Sequence, residues 1–342
     1  MKDTMIAAML YGARDLRLIE HPCPTVGPGM VLVRPRRVGI CGSDLHYYQH
    51  GYCGSFVPDR PFVLGHELSG EVADLGAGVA GLAVGDRVTV NPARACGFCD
   101  YCKGGRSNLC RHTIMLGSAS TTPPTDGAFA ELLLVRADQC HRLPDDLDDG
   151  LGAMMEPLAV ALHAVRRAGS AAGRRVLVAG AGTIGLLVAM TARAFGAVPV
   201  TVTDVSAERR RLAAQVAADA AFDPAEVTAP GDGFDIIFEA SGDGRALRQA
   251  FDLIRPGGTI VQIGTLGTDD VPLPANAVMA REISLIGSFR YGNVFGEAIA
   301  LTAAGRVDPR PLISAVLPLA DVAQAMALAD DKARSFKVQM AL

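Results

Sequence analysis

Two textures of apolar and polar residues divide the chain. Up to about residue 150, short β-type runs at 30–35, 68–75, 85–90 and 128–135 are punctuated by glycine and proline. Runs of that length between turn formers predict a barrel-like β domain. The stretch 145–150, Asp-Asp-Leu-Asp-Asp-Gly, is a polar boundary. From Gly152 the chain turns alanine-rich, with helical stretches at 156–167, 185–195, 207–217 and 244–253. Between them lie strand-type runs at 176–179, 198–203, 234–239 and 259–264. Such alternation predicts a parallel, doubly wound α/β sheet, with a last strand over 283–289. Helices follow at 295–304 and 321–329, and a terminal strand at 337–342 returns to the first domain. The expected division is therefore 1–150 completed by 290–342, with 151–289 as the second domain.

Composition narrows the class without naming an activity. At 342 residues the chain exceeds the size at which one core usually splits. Hydrophobic residues make up 49% and charged residues 20%, enough apolar matter for a packed interior and against disorder. A net charge of −4 offers no general pull toward nucleic acid or anionic membrane. The start, Met1-Lys-Asp-Thr-Met, lacks an apolar signal core, and no stretch reaches 18 uninterrupted apolar residues. A cytoplasmic protein is expected.

Chemistry begins with cysteine. Cys96, Cys99, Cys102 and Cys110 form C-x2-C-x2-C-x7-C, a spacing that lets four thiolates converge on one structural zinc. Two disulfides or four unrelated thiols are the alternatives, and three cysteines at intervals of three argue against both. A looser set follows: Cys41, the triplet Gly65-His66-Glu67, and Glu156 in Met155-Glu156-Pro157. Sulfur, imidazole and carboxylate from distant segments suit a catalytic zinc, which takes three protein ligands and keeps one position open. Which of Glu67 and Glu156 ligates the ion stays open. Of the eight cysteines, Cys23, Cys53 and Cys140 remain and read as reduced thiols.

The third signal runs from Val176 to Gly185, Val-Leu-Val-Ala-Gly180-Ala-Gly182-Thr-Ile-Gly185. A buried strand ends in G-x-G-x-x-G and a helix follows. Gly180 permits the tight turn, Gly182 lets the backbone approach a pyrophosphate, and Gly185 allows close helix–strand packing. The helix N-terminus offers free N–H groups to phosphate. A second strand ends at Asp204, placed to accept the ribose hydroxyls and so to favour NAD. Arg209, Arg210 and Arg211 beside it leave room for a softer preference.

Together Cys41-Gly-Ser-Asp44, Gly65-His-Glu67, the four-cysteine lobe, Glu156-Pro157 and the dinucleotide motif resemble the zinc-containing medium-chain dehydrogenases over essentially the whole chain. Cys41 to Tyr48 and Gly287-Ser-Phe-Arg-Tyr291 resemble the polyol branch. The resemblance implies a GroES-like β-barrel catalytic domain, a Rossmann domain, two zinc ions per chain, NAD, and a homo-oligomer, with a tetramer favoured over a dimer. It implies alcohol oxidation by hydride transfer, Ser43 and His46 carrying the proton outward. Tyr47, Arg290 and Tyr291 are expected at the substrate, and Thr183, Ile184, Arg209, Ile263, Gly264, Ser288 and Phe289 at the cofactor. The substrate expected first is a sugar acid, L-idonate oxidised at C5, with sorbitol or xylitol as the alternative. A zinc-free reductase of the same fold would lack both ligand sets. A non-enzymatic relative would bind nucleotide without turnover.

Overall fold

The computed structural model describes residues 3–267 and 270–342; the first two residues of the stretch read for a signal core lie outside them. The chain forms two units, one of 1–156 with 295–303 and 309–342, the other of 157–294 with 304–308. The changeover falls at Glu156 rather than Gly150. The reason lies in the helix Asp149–Ala153, which is tied to the first unit: Ser69 Oγ donates to Asp149 O at 2.5 Å and Gln339 Nε2 to Gly150 O at 2.8 Å.

In the first unit a seven-stranded sheet is centred on Met30–Gly39. That strand runs antiparallel to Glu67–Leu75 and, on its other edge, to Leu133–Arg136 and the C-terminal strand Lys337–Ala341. It is longer than the expected run because the chain crosses Pro35 instead of stopping there. Proline cannot donate to the ladder, and the pairing with Glu67–Leu75 shifts register between Pro35 and Arg37. An N-terminal hairpin, Thr4–Gly12 with Asp15–Pro22, also joins this unit. Its core packs Val33, Leu64, Leu68, Phe62, Phe129 and Met340, all fully buried.

The second unit holds a six-stranded parallel sheet in the spatial order Ala220–Phe222, Val200–Thr203, Val176–Ala179, Phe234–Glu239, Ile254–Gln262, Ser284–Gly287. Strand order reverses beside Val176–Ala179, whose four residues are all buried. The carboxyl ends of strands at such a reversal form the ligand crevice of doubly wound folds. Here that end carries Gly180, φ +101°, then the helix Thr183–Ala194. Gly185 lies so close to the preceding turn that a Cβ there would sit 1.8 Å from Gly180 O. Because the obstacle is backbone, Gly185→Ala is expected to destabilise the chain by about 1–3 kcal/mol through overpacking. A thermal unfolding midpoint equal to the parent's would refute this account of the helix–turn contact.

Candidate active site and zinc lobe

Helix Gly42–His50 begins just after Cys41, and the strand Glu67–Leu75 just after His66. Asp44 joins the two starts. Its Oδ2 accepts the Cys41 N–H at 2.9 Å and its Oδ1 the Gly65 N–H at 3.1 Å. The carboxyl is wholly buried, and desolvation raises its proton affinity above the ordinary aspartate range despite the neighbouring His66. Gly65 takes φ +91°, and a Cβ would enter the Phe129 ring at 2.3 Å. The turn before His66 therefore needs glycine on both conformational and steric grounds.

These segments bring one ligand atom each of Cys41, His66 and Glu67 within 4.8 Å of one another. His66 is 5% exposed; its Nδ1 has no hydrogen bond among the described residues and lies 3.7 Å from Asp44 Oδ1. Burial opposes a charged imidazole, yet the charges of Asp44, Cys41 and Glu156 outweigh it and hold His66 well above its usual range. The acidic groups of Asp44, Cys41 and Glu156 around one buried imidazole are of the sign a dication site needs. Sulfur, imidazole and carboxylate are also zinc's donor types, so the residues fit the ion. Asp44 beside a ligand histidine would fix its ring orientation.

The two carboxylates separate in the structure. Glu67 accepts Lys337 Nζ on both oxygens, at 2.7 and 2.6 Å, and Lys337 also donates to Ile40 O at 3.1 Å. Glu156 is buried and within electrostatic reach of His66, but it is not a member of the 4.8 Å group. Lys337 was not anticipated as part of this site; a lone lysine in a terminal strand carries no local sign of a partner 270 positions away.

Tyr47, expected to line the substrate pocket, is instead drawn into the core at 2% exposure. Its hydroxyl accepts the Ala119 N–H at 3.0 Å, and its ring meets Phe62 edge-on at 5.3 Å. The helix period explains this, since position 47 faces inward beside Asp44 while Ser43 is half-buried and His46 exposed. Arg290 and Tyr291 lie in the second unit. Arg290 adopts φ +52° with its guanidinium 4.9 Å above the Phe289 ring, and Tyr291 is buried.

The four lobe sulfurs also lie within 4.8 Å of one another, with Cys99 and Cys102 Sγ at 3.5 Å and Cys96 and Cys102 Sγ at 3.9 Å. A zinc–sulfur bond of about 2.3 Å gives tetrahedral S···S edges of roughly 3.8 Å, so the set fits a closed zinc site. None of the eight cysteines forms a disulfide. Backbone N–H groups, foremost that of Cys102, pull the Cys99 thiol down to about 6, while burial pushes the Cys102 thiol up to about 12. Cys102→Ser is expected to lose one zinc per chain by elemental analysis and several kcal/mol of stability, because such an ion's binding energy is folding energy. Unchanged zinc content would contradict the lobe's assignment.

In the second unit, Asp204 Oδ2 accepts the Ala181 N–H at 2.8 Å and Oδ1 the Ser206 N–H at 2.8 Å. Each oxygen keeps a further lone pair for another donor. Arg209 Nη1 lies 3.3 Å from where a Cβ on Gly182 would stand, at the start of the helix that Thr183, Ile184 and Gly185 open. Ile263 and Gly264 donate their N–H groups to Glu239 O at 2.8 and 3.0 Å. Ser288 donates its N–H to Gln262 O at 2.9 Å and keeps a buried hydroxyl without a hydrogen bond among the described residues, while Phe289 is half exposed.

Comparison with known proteins agrees in both units. Residues 27–145 match the alcohol dehydrogenase GroES-like domain, and residues 183–304 the zinc-binding dehydrogenase domain. D-xylulose reductase A of Aspergillus oryzae is 38% identical over 334 residues, 94% of this chain and 92% of that protein. The structure of L-idonate 5-dehydrogenase from Escherichia coli superposes with a TM-score of 0.94 at 35% identity, covering 99% of this chain and 98% of that one. A zinc-binding dehydrogenase of Sinorhizobium meliloti bound to NADP superposes with a TM-score of 0.92 at 33% identity, each chain covered in full. The chain belongs to the zinc-containing medium-chain dehydrogenases, in their polyol branch.

Proposed function

We propose that this protein oxidises a secondary alcohol of a polyol with NAD, interconverting a xylitol-type polyol and its ketose. The observation that carries the reading is the convergence of half-buried Cys41 with buried His66 and Glu67, in a chain that also bears a glycine-turn dinucleotide sheet. Zinc, when bound, would supply the Lewis acidity that brings a substrate hydroxyl's pKa toward neutrality, and NAD would supply the hydride acceptor. Cys41 and His66 would hold the ion, with Glu156 as the nearby carboxylate and Glu67 restrained by Lys337. Asp44 orients both ligand segments. Ser43 and then the exposed His46 take the released proton toward solvent.

The substrate assignment follows the D-xylulose reductase relative, which aligns over nearly the whole chain. L-idonate is the second reading, favoured by the TM-score of 0.94 to the Escherichia coli enzyme, and Arg290 is the cation it would call for. Asp204 argues for NAD by repelling a 2′-phosphate, although Arg209 and the NADP-bound relative point the other way. Steady-state kinetics on xylitol, sorbitol, L-idonate and ethanol with each cofactor separate these readings. Xylitol or sorbitol with NAD should have the highest kcat/KM and ethanol the lowest, since buried polar groups reject analogues lacking hydroxyls. A preference for L-idonate would transfer the assignment to the sugar acid, and no activity on any of them would end the proposal.

A further inference from the structure

Helix Gly42–His50 presents two histidines on one face. His46 and His50 are four positions apart, one turn, and both are exposed. Their ring centroids lie 5.7 Å apart with planes tilted by 48°. Two histidines at i and i+4 on a helix form a recurrent chelating pair for zinc, and imidazole suits the late divalent transition metals generally. With each nitrogen about 2.1 Å from a shared tetrahedral ion, two imidazole centroids would stand roughly 5–5.5 Å apart, close to the 5.7 Å seen here. Tyr52 flanks the outer side, its ring centroid 5.9 Å from that of His50.

We propose that His46 and His50 form a third, reversible zinc site, distinct from the Cys41 group and the cysteine lobe, and that zinc bound there inhibits the enzyme. Water completes the coordination, so binding is weaker than at a site with three or four protein ligands. The Lys332 cation opposes it further, since its charge adds to burial and to His50 in disfavouring a positive charge at His46. Inhibition follows because an imidazole nitrogen held by a metal cannot accept a proton. This half rests on the role proposed above for His46; the binding half does not.

The test uses the holoenzyme dialysed against a series of free zinc concentrations, with zinc per chain read by elemental analysis. Wild type should take up one equivalent beyond its resident zinc, and polyol oxidation should fall as that equivalent binds. His50→Ala, and His50→Gln as a second exposed-site variant, should keep the basal activity and weaken both uptake and inhibition at least tenfold. Lys332→Gln should tighten uptake at least twofold. No extra equivalent in wild type, or equal uptake in the His50 variants, would overturn the site. Uptake without inhibition would overturn the inhibitory half and speak against His46 as proton carrier. If the protein oxidised no polyol, the functional reading would fall while dialysis still decided whether the site exists.

Discussion

Cys41→Ser is expected to remove turnover while leaving NAD binding and the fold largely intact. The sulfur belongs to a three-residue group in which serine's hydroxyl is a poor substitute donor for zinc. Metal stabilisation of a developing alkoxide contributes several kcal/mol, so kcat/KM should fall on the order of 10³-fold or more. The fold should survive because Asp44 secures this turn through the backbone N–H groups of residues 41 and 65, which the substitution does not touch. Elemental analysis should show one zinc lost per chain, while cofactor binding by fluorescence titration stays within a few-fold of the parent. A variant with near-normal activity would remove Cys41 from the reaction. A variant that lost zinc, cofactor binding and folding together would show that the site is structural.

Sequence reasoning reaches the features whose signals are local. The G-x-G-x-x-G turn, the strand before it and Asp204 at the end of the next strand are close in the chain, and the parallel sheet brings them together in register. The lobe was readable for the same reason, since its four sulfurs come from one loop. Long-range pairing left no such trace. Glu67 and Glu156 are indistinguishable as candidate ligands in one dimension; in three, Glu67 stands with Cys41 and His66 and also takes Lys337, delivered by the antiparallel pairing of the last strand with Met30–Gly39. Tyr47 shows the opposite failure. A motif placed it at the substrate, but helix phase turns it inward, where Ala119 and Phe62 take its polar and apolar ends. Asp44 was visible as part of a motif, while its role as the tie between two ligand segments needed the third dimension.

Lys337→Met should be among the most destabilising single substitutions in the first unit. Lys337 and Glu67 are 4% and 1% exposed, and the ammonium reaches both carboxylate oxygens as well as Ile40 O. Burial alone would pull the Lys337 pKa down, but the charges of Glu67 and Cys41 outweigh it and leave it raised, so the ammonium keeps its proton. Methionine matches the lysine stem and packs there, but it strands a buried carboxylate. Breaking a buried pair by removing one partner costs about 3–5 kcal/mol, a fall in melting temperature on the order of 10 °C for a unit of this size. Glu67→Gln in the same background should recover part of the loss, since the stranded charge is gone; neighbours that share a partner are non-additive in this way. The double-mutant cycle, read by thermal unfolding of zinc-loaded protein, therefore distinguishes charge from packing. If Lys337→Met melted within a degree of the parent, Glu67 would have another compensating cation. If the double variant were no more stable than Lys337→Met, the loss would lie in the packing of the C-terminal strand and not in the ion pair.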